Sequence, residues 1–524
     1  MKRLFLVFLF CLNSFWAIAQ TTEVVFIQLN DVYEIAPLEG GKYGGLARVA
    51  SIIKEYKAKN PYTYIILSGD FISPSALGTS EYEGKRINGR QMVDVLNAIG
   101  LDFVTFGNHE FDYKYEVLQE RIDESKFEWI VSNVLNTVSD PRNIDGAEVN
   151  IKFGKNDRNS IQVEDNFTIE GRKAFPQYKI LEIPGYQKNT LIKLGLMGLC
   201  IDANKQPYVH YENYVDAGKK VYNQIKDSIN FFLGITHLSI DEDKNLASQL
   251  PQIRLIVGGH EHVNMFHKVG ETIITKADAN ARTIYIHTLS FDESNKLIDI
   301  KSNLVSMDST VSEDPKVKEL VDEWTARAYK GFIDKGFDPL VMVYDLKNET
   351  LDGREETVRY ELCPLGVLIA MSMLDAAKGS NCAVFNSGAI RIDDELKGEI
   401  TQYDIIRVLP FGGKILQVEM KGSLLSQIME TGWSNKGNGG FLQFYGIEQT
   451  AGGWKAKGGF IDNDKIYNVA MSDYLLSGME QNFGYLTKHD PSIVKISEPD
   501  PSNKNDLRND IRFAVISYFK KWNR

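Results

Sequence analysis

Apolar runs that stop abruptly on polar residues recur along the first half of the chain. Val24-Val25-Phe26-Ile27-Gln28-Leu29 runs into Asn30-Asp31, Tyr64-Ile65-Ile66-Leu67 into Ser68-Gly69-Asp70, and Phe103-Val104-Thr105-Phe106 into Gly107-Asn108-His109-Glu110-Phe111-Asp112. Between these runs, Leu46, Val49, Ile53 and Tyr56, and later Val93, Leu96 and Ile99, recur at helical spacing. The pattern predicts alternating strands and helices in an α/β sandwich, with buried strands delivering polar side chains from their C-terminal ends. From Asn136 to Asn189 the sequence is polar and has no readable period. The alternation then resumes with a strand over Leu191–Leu199 and a helical face of Val221, Ile225, Ile229 and Phe232. Phe231–Ile235 runs into Thr236-His237, and Leu255-Ile256-Val257 into Gly258-Gly259-His260-Glu261-His262. A helix is predicted over Ser312–Gly336, where Val317, Leu320, Val321 and Trp324 share a face and no glycine precedes Gly331.

A chain of 524 residues exceeds what one core usually organises, so two domains are expected, with that helix as connector. An apolar content of 43% suits a well-packed globular protein, and a formal charge of −11 argues against a general nucleic-acid binder, though a small basic pocket can still take a phosphate. Met1-Lys2-Arg3, the apolar run Leu4–Trp16 and Ala17-Ile18-Ala19 read as a secretory signal peptide over residues 1–19, which implies a periplasmic or extracellular protein. No later run is long and apolar enough to span a bilayer. Beyond the signal peptide only Cys200, Cys363 and Cys382 remain, too few for a disulfide framework. Cys363 and Cys382 either pair or stay as packed free thiols.

The densest chemistry lies in Phe106–Asp112. Asn108 offers a metal a neutral oxygen, His109 can act on a developing charge, and Asp112 can fix the imidazole tautomer. Taken alone, the stretch has a second reading as a turn, with His109 at the surface, and a lone histidine is more often structural than a ligand. Four of the eight histidines, His109, His237, His260 and His262, lie at or just after strand ends together with Asp31, Asp70 and Asn108, which favours a metal centre. Oxygen and imidazole donors without thiolates suit Zn, Mn, Co or Fe. One aspartate can bridge two such ions about 3.5–4 Å apart, a spacing that holds a phosphoryl group for in-line attack. Asp70 is the candidate bridge.

The ordered set LND, GD, GNHEFD, TH and GHEH resembles the calcineurin-like metallophosphoesterases, in particular the secreted 5′-nucleotidases. The resemblance implies a four-layer α/β/β/α sandwich over residues 20–310, a linker helix over 311–336, and a second α+β, substrate-binding domain over 337–524. It also implies two divalent ions. Asp31, Asp70 and His262 would hold one, Asp70, Asn108, His237 and His260 the other, and His109 with Asp112 would form the catalytic dyad. Two departures stand out: Asp31-Val32-Tyr33 replaces the usual Asp-x-His, and His262 stands where relatives commonly carry an amide. Tyr33 either binds ferric iron as phenolate or stays neutral beside a first ion held without it.

The second half carries no comparable ligand cluster but resembles the same family. Arg359, and Phe385-Asn386-Ser387-Gly388-Ala389-Ile390-Arg391, resemble the family's anion-binding residues, although Gly366-Val367 replaces a usual Gly-Asn. Phe411 and Phe483 would clamp a base, and Asp490 would meet ribose hydroxyls. The resemblance implies a phosphomonoesterase acting on 5′-nucleotides. The alternatives are a metallophosphatase for cyclic nucleotides, nucleotide sugars or other phosphoesters, and a degenerate protein that binds nucleotides without hydrolysing them.

Overall fold

A computed structural model describes residues 21–139, 148–164 and 167–522, so the signal-peptide assignment lies outside the described residues. Two six-stranded sheets form the first half. One runs, edge to edge, Leu297–Ser306, Thr283–Phe291, Thr22–Leu29, Thr63–Leu67, Phe103–Val104 and Glu128–Trp129. The other runs Tyr178–Pro184, Leu191–Cys200, Phe231–His237, Leu255–Gly258, Thr272–Lys276 and Met265–Val269. Successive side chains of Thr22–Leu29 explain its unbroken apolar run. Val24 and Phe26 pack between the sheets, while Val25, Ile27 and Leu29 face the helices outside. Helices Leu46–Lys59, Arg90–Ile99, Tyr115–Glu124 and Pro315–Asp334 cover the first sheet. Tyr214–Ile225 and Ile240–Gln249 cover the second, which completes four α/β/β/α layers.

One local expectation fails for a physical reason. The helix holding Val221 stops at Ile225, and Phe232 belongs to the next strand. The apparent period ran on because both elements send side chains into one core. The unreadable 136–189 region holds strands Glu148–Lys152, Gly154–Glu164, Phe167–Ala174 and Tyr178–Pro184. Among the described residues Gly154–Glu164 and Phe167–Ala174 pair with each other and with neither large sheet, so no continuous apolar stripe marks them.

The second half is built on a five-stranded sheet in the order Leu442–Tyr445, Cys382–Asn386, Ile466–Ser472, Ile415–Lys421, Ile493–Ser497. Helices Pro364–Ala376 and Ile511–Trp522 pack on one face and Gly422–Ser434 on the other. Cys200, Cys363 and Cys382 are buried free thiols. The helix Pro315–Asp334 starts at Asp314, whose carboxylate accepts the N–H groups of Lys316 and Val317. Its residues Val317, Val321, Trp324 and Ala328 enter the first core, and Phe332 enters the second.

The Phe106–Asp112 loop is pinned from beneath. Phe106 and Phe111 are buried with Trp129 and Phe153, the Phe106 and Trp129 rings 4.7 Å apart. Between them Glu110, also buried, accepts four backbone N–H groups: Asp70 at 2.9 Å, Phe71 at 2.8 Å, Ile72 at 3.1 Å and Gly107 at 2.7 Å. One carboxylate thus locks the Asp70 loop to the Asn108 loop.

This packing sets two expectations for stability. Trp324→Ala should cost about 3–5 kcal/mol, the range for emptying a large buried aromatic site, read from urea unfolding. Glu110→Ala leaves four buried N–H groups without an acceptor, at ~1–3 kcal/mol each. The urea midpoint of chelator-stripped protein should therefore fall, and fall less in Glu110→Gln, which keeps one acceptor oxygen. An unchanged midpoint in Glu110→Ala would refute the locking role.

Candidate active site

The strand ends of the two sheets converge on Asp31 and Asp70, both buried. Oδ1 of Asp70 accepts the His109 N–H at 2.7 Å, and its Oδ2 lies 3.1 Å from His237 Nε2 and 3.2 Å from the Tyr33 hydroxyl. Oδ1 of Asp31 lies 3.2 Å from His262 Nε2. Its Oδ2 accepts from Asn30 Nδ2 at 2.8 Å and from the His260 N–H at 2.9 Å. Two glycines permit this crowding. A Cβ at Gly107 would stand 2.1 Å from Asp70 Oδ1, and one at Gly259 2.5 Å from the Ser68 carbonyl oxygen. Asp31, Asp70, His260 and His262 all have positive φ, at 51°, 54°, 93° and 60°. Such backbone costs on the order of 1–3 kcal/mol per residue and concentrates where function demands it.

The electrostatics suit a cation. Burial alone would raise the Asp31 carboxyl, but the imidazoles of His262 and His237 outweigh it and hold Asp31 well below the carboxylate range. Asp70 is lowered in the same way, burial being overcome by His237 and His109. Burial works against a charged His237, yet Asp70 and Asp31 pull it up to about 9, whereas burial and the neighbouring His237 push His260 down to about 3. Asp31, Asp70 and His262 each offer a donor atom within 4.8 Å of the others. Asn108 Oδ1 is buried without a hydrogen-bond partner. The Nδ1 of His237 lies 2.7 Å from the Ser68 carbonyl oxygen and donates to it, which turns the Nε2 toward Asp70. His260 stacks edge-on to His237 with ring centroids 5.4 Å apart. The structure therefore sets Asp31, Asp70 and His262 in one donor group with His237 beside both acids and His260 against His237, and leaves Asn108 Oδ1 as a buried polar atom that a metal would satisfy.

Beside this cluster His109 and Asp112 stand three residues apart on a 3-10 turn, where side chains at i and i+3 eclipse. His109 Nδ1 is 2.9 Å from Asp112 Oδ2. The carboxylate also accepts from Ser73 at 2.8 Å, Asn204 at 2.8 Å and Arg391 at 3.1 Å. Burial would raise Asp112, but His109 and Arg391 hold it down at about 2.

A cavity of about 1030 Å³ opens from Asp112 into the second half, lined by Arg359, Asn386, Arg391, Phe411, Tyr474 and Glu480 among others. Asn386 donates to Glu480 at 2.6 Å and keeps its own Oδ1 unpaired. Two expected residues are placed elsewhere. Phe483, expected to face Phe411, is fully buried with Leu475, Leu476 and Leu486, so its ring has no face to offer a ligand. Tyr474, 44% exposed, is the aromatic that shares the cavity with Phe411, 58% exposed. Asp490 is not among the cavity-lining residues; it accepts the Ser492 N–H at 2.7 Å and shapes a turn. Tyr474, Asn204 and Asp393 carry no local sequence signal, because what places them is contact between distant segments.

Tyr33, the departure from the family pattern, points its hydroxyl into the donor cluster, 2.9 Å from His262 Nε2. Burial, followed by the charges of Asp70 and Asp31, pushes the phenol well above its ordinary value.

Comparison with known proteins agrees with this geometry. Residues 24–264 match the family model of the calcineurin-like phosphoesterases, and residues 343–487 that of the 5′-nucleotidase C-terminal domain. The trifunctional nucleotide phosphoesterase protein YfkN of Bacillus subtilis is 27% identical over 432 residues, 77% of this chain. The match spans only 28% of that longer relative. The 5′-nucleotidase of Bos taurus is 23% identical over 532 residues, 88% of this chain and 84% of its own. The crystal structure of a 5′-nucleotidase precursor from Thermus thermophilus shares the fold, with a TM-score of 0.66 at 19% identity, over 96% of this chain and 97% of that one. Membership of such a family implies divalent metal ions, and Asp31, Asp70 and His262 form a group able to hold one. With the two family models in tandem over more than half its length, the chain belongs to the 5′-nucleotidase family of the calcineurin-like phosphoesterases.

Proposed function

We propose that the protein is an exported phosphomonoesterase that hydrolyses 5′-nucleotides to nucleoside and phosphate. The carrying observation is the single cavity that joins the Asp112 end of the catalytic cluster to Phe411 and Tyr474, a phosphate end and an aromatic end in one space. On this reading residues 20–310 and 337–524 are the two domains, joined through 311–336, and residues 1–19 direct export. Asp31, Asp70 and His262 hold one divalent ion, and Asp70, Asn108, His237 and His260 the other. Bound there, the ions supply Lewis-acid charge to phosphoryl oxygens and acidify a water.

The chain's own groups do the rest. Asp112 occupies His109 Nδ1 and so leaves Nε2 to meet charge building on the phosphoryl group as the alkoxide departs. Arg391, already bonded to Asp112, and Arg359 offer forked donors to phosphate oxygens. Phe411 and Tyr474 hold the base between them, and the unpaired Asn386 Oδ1 accepts from a ribose or base donor. Tyr33 stays neutral and donates to Asp70.

Phosphate release by stripped protein reloaded with Zn, Mn, Co or Fe in turn, on AMP and on p-nitrophenyl phosphate, tests the substrate class. Stacking of a base on an aromatic is worth ~1–3 kcal/mol, so Phe411→Ala and Tyr474→Ala should each raise KM for AMP by roughly 5- to 150-fold and leave p-nitrophenyl phosphate unaffected. Absence of release from every nucleotide would sink the proposal. His109→Ala should retain both ions by elemental analysis while kcat falls about 10²–10⁴-fold, the range for a positioned acid, base or charge-stabilising group. Loss of metal in that variant would make His109 a ligand instead.

A further inference from the structure

His262 is held from both sides, and one of the two partners comes from the other half of the chain. Its Nε2 faces the donor cluster, 3.2 Å from Asp31 Oδ1 and 2.9 Å from the Tyr33 hydroxyl. Its Nδ1 lies 2.5 Å from Oδ2 of Asp393, two residues beyond Arg391. Asp393 is itself fixed. It adopts positive φ, 41°, and its Oδ1 accepts the Glu355 N–H at 2.6 Å. The carboxylate of Asp393 is therefore aimed by the second half at an imidazole of the first. A carboxylate on Nδ1–H selects the tautomer with the lone pair on Nε2, orients the ring and raises the basicity of the ligating nitrogen.

We propose that Asp393 is a positioning residue for the first metal ion, so that this ion's site is complete only when the second domain is docked against the first. The inference rests on the reading of His262 as a ligand. It also accounts for the exchange of residue types at this corner. An imidazole in place of an amide needs a partner to set its tautomer, and Asp393 supplies one. By linkage, the ion and the docked arrangement stabilise each other to the same degree.

Calorimetric titration of the chelator-stripped full-length protein with Mn²⁺ tests this without reference to turnover. Wild type should show two binding events. Asp393→Ala should weaken one of them by about 10- to 100-fold, the effect typical of removing a ligand's outer partner, and leave the other unchanged. Asp393→Asn, which keeps an acceptor for Nδ1–H, should lose less at the same event. His262→Ala should abolish that event, and adding Asp393→Ala to it should change nothing more. Asp394→Ala is the control. It removes the 2.6 Å pair with Arg282 across the same junction without touching His262, and both events should survive it.

Unchanged binding in Asp393→Ala alongside a lost event in His262→Ala would overturn the inference and leave the ligand reading standing. Two intact events in His262→Ala would remove both. If Asp394→Ala reproduced the loss, general docking and not aim at His262 would be responsible, and the inference would be wrong. Thermal melts of the stripped variants verify folding, and should Asp393→Ala not fold, Asp393→Asn carries the same comparison.

Discussion

Two carboxylates, Asp31 and Asp70, are buried side by side, and most of the first half can be read as the means of keeping them charged there. Removing a carboxylate from water costs several kcal/mol after relaxation unless cations and hydrogen-bond donors replace the lost hydration. The fold meets this demand by running parallel strands of both sheets toward one point, so that their C-terminal ends deliver imidazoles and backbone N–H groups to the same two acids. Glu110 shows the counter-case. It lies beneath Asp70, receives only neutral amides, and is driven by burial and by Asp70 up to about 7. Amides can anchor a carboxylate without matching a cation, and the difference separates the acid that holds the loops from the acids placed to hold a metal.

The two halves divide the labour along physical lines. The first concentrates charge in a buried, strained cluster, while the second contributes aromatic surface and arginine. Their junction is mostly polar. Arg391 meets Asp112, Arg282 meets Asp394, and the buried Glu34 accepts from Tyr403 at 2.7 Å with Arg407 beside it at 3.7 Å. The apolar seam is narrow, with Tyr329 and Tyr403 packed against both cores. Charged partners at such a junction can be rehydrated on separation, whereas a broad apolar seam could not, so the junction is of the kind that permits relative domain movement.

How far the sequence revealed this depends on what kind of force places each residue. Strands buried on both faces must be apolar throughout, so their ends at Asp31, Asp70 and His237 were legible as the points where the run breaks. The histidine pair after Gly259 stood out for the same reason. Phe483 and Tyr474 were not separable in that way. Both are aromatics on the irregular stretch that follows Ile466–Ser472, and only the packing of Leu475, Leu476 and Leu486 decides which ring is drawn inward. Glu110 was visible as a member of a dense motif, but its role depends on amides contributed by a loop some forty positions earlier. Asp393 was invisible, because its partner lies 131 positions away in the other half.

The strands at the far end of the first half bear on how this architecture can be inherited or recombined. The phosphoesterase match ends at residue 264, but Met265–Val269, Thr272–Lys276, Thr283–Phe291 and Leu297–Ser306 contribute two strands to each large sheet. Asn280, within that stretch, accepts the N–H groups of Tyr33 and Glu34 and so shapes the loop after Asp31. A module exchanged at the match boundary would expose Thr22–Leu29 and Leu255–Gly258 as raw sheet edges and would undo the loop that carries the first acid. The unit that can travel intact runs to the end of the helix at Asp334, and the few residues between it and Met342 are the natural crossover point for shuffling either half onto another partner.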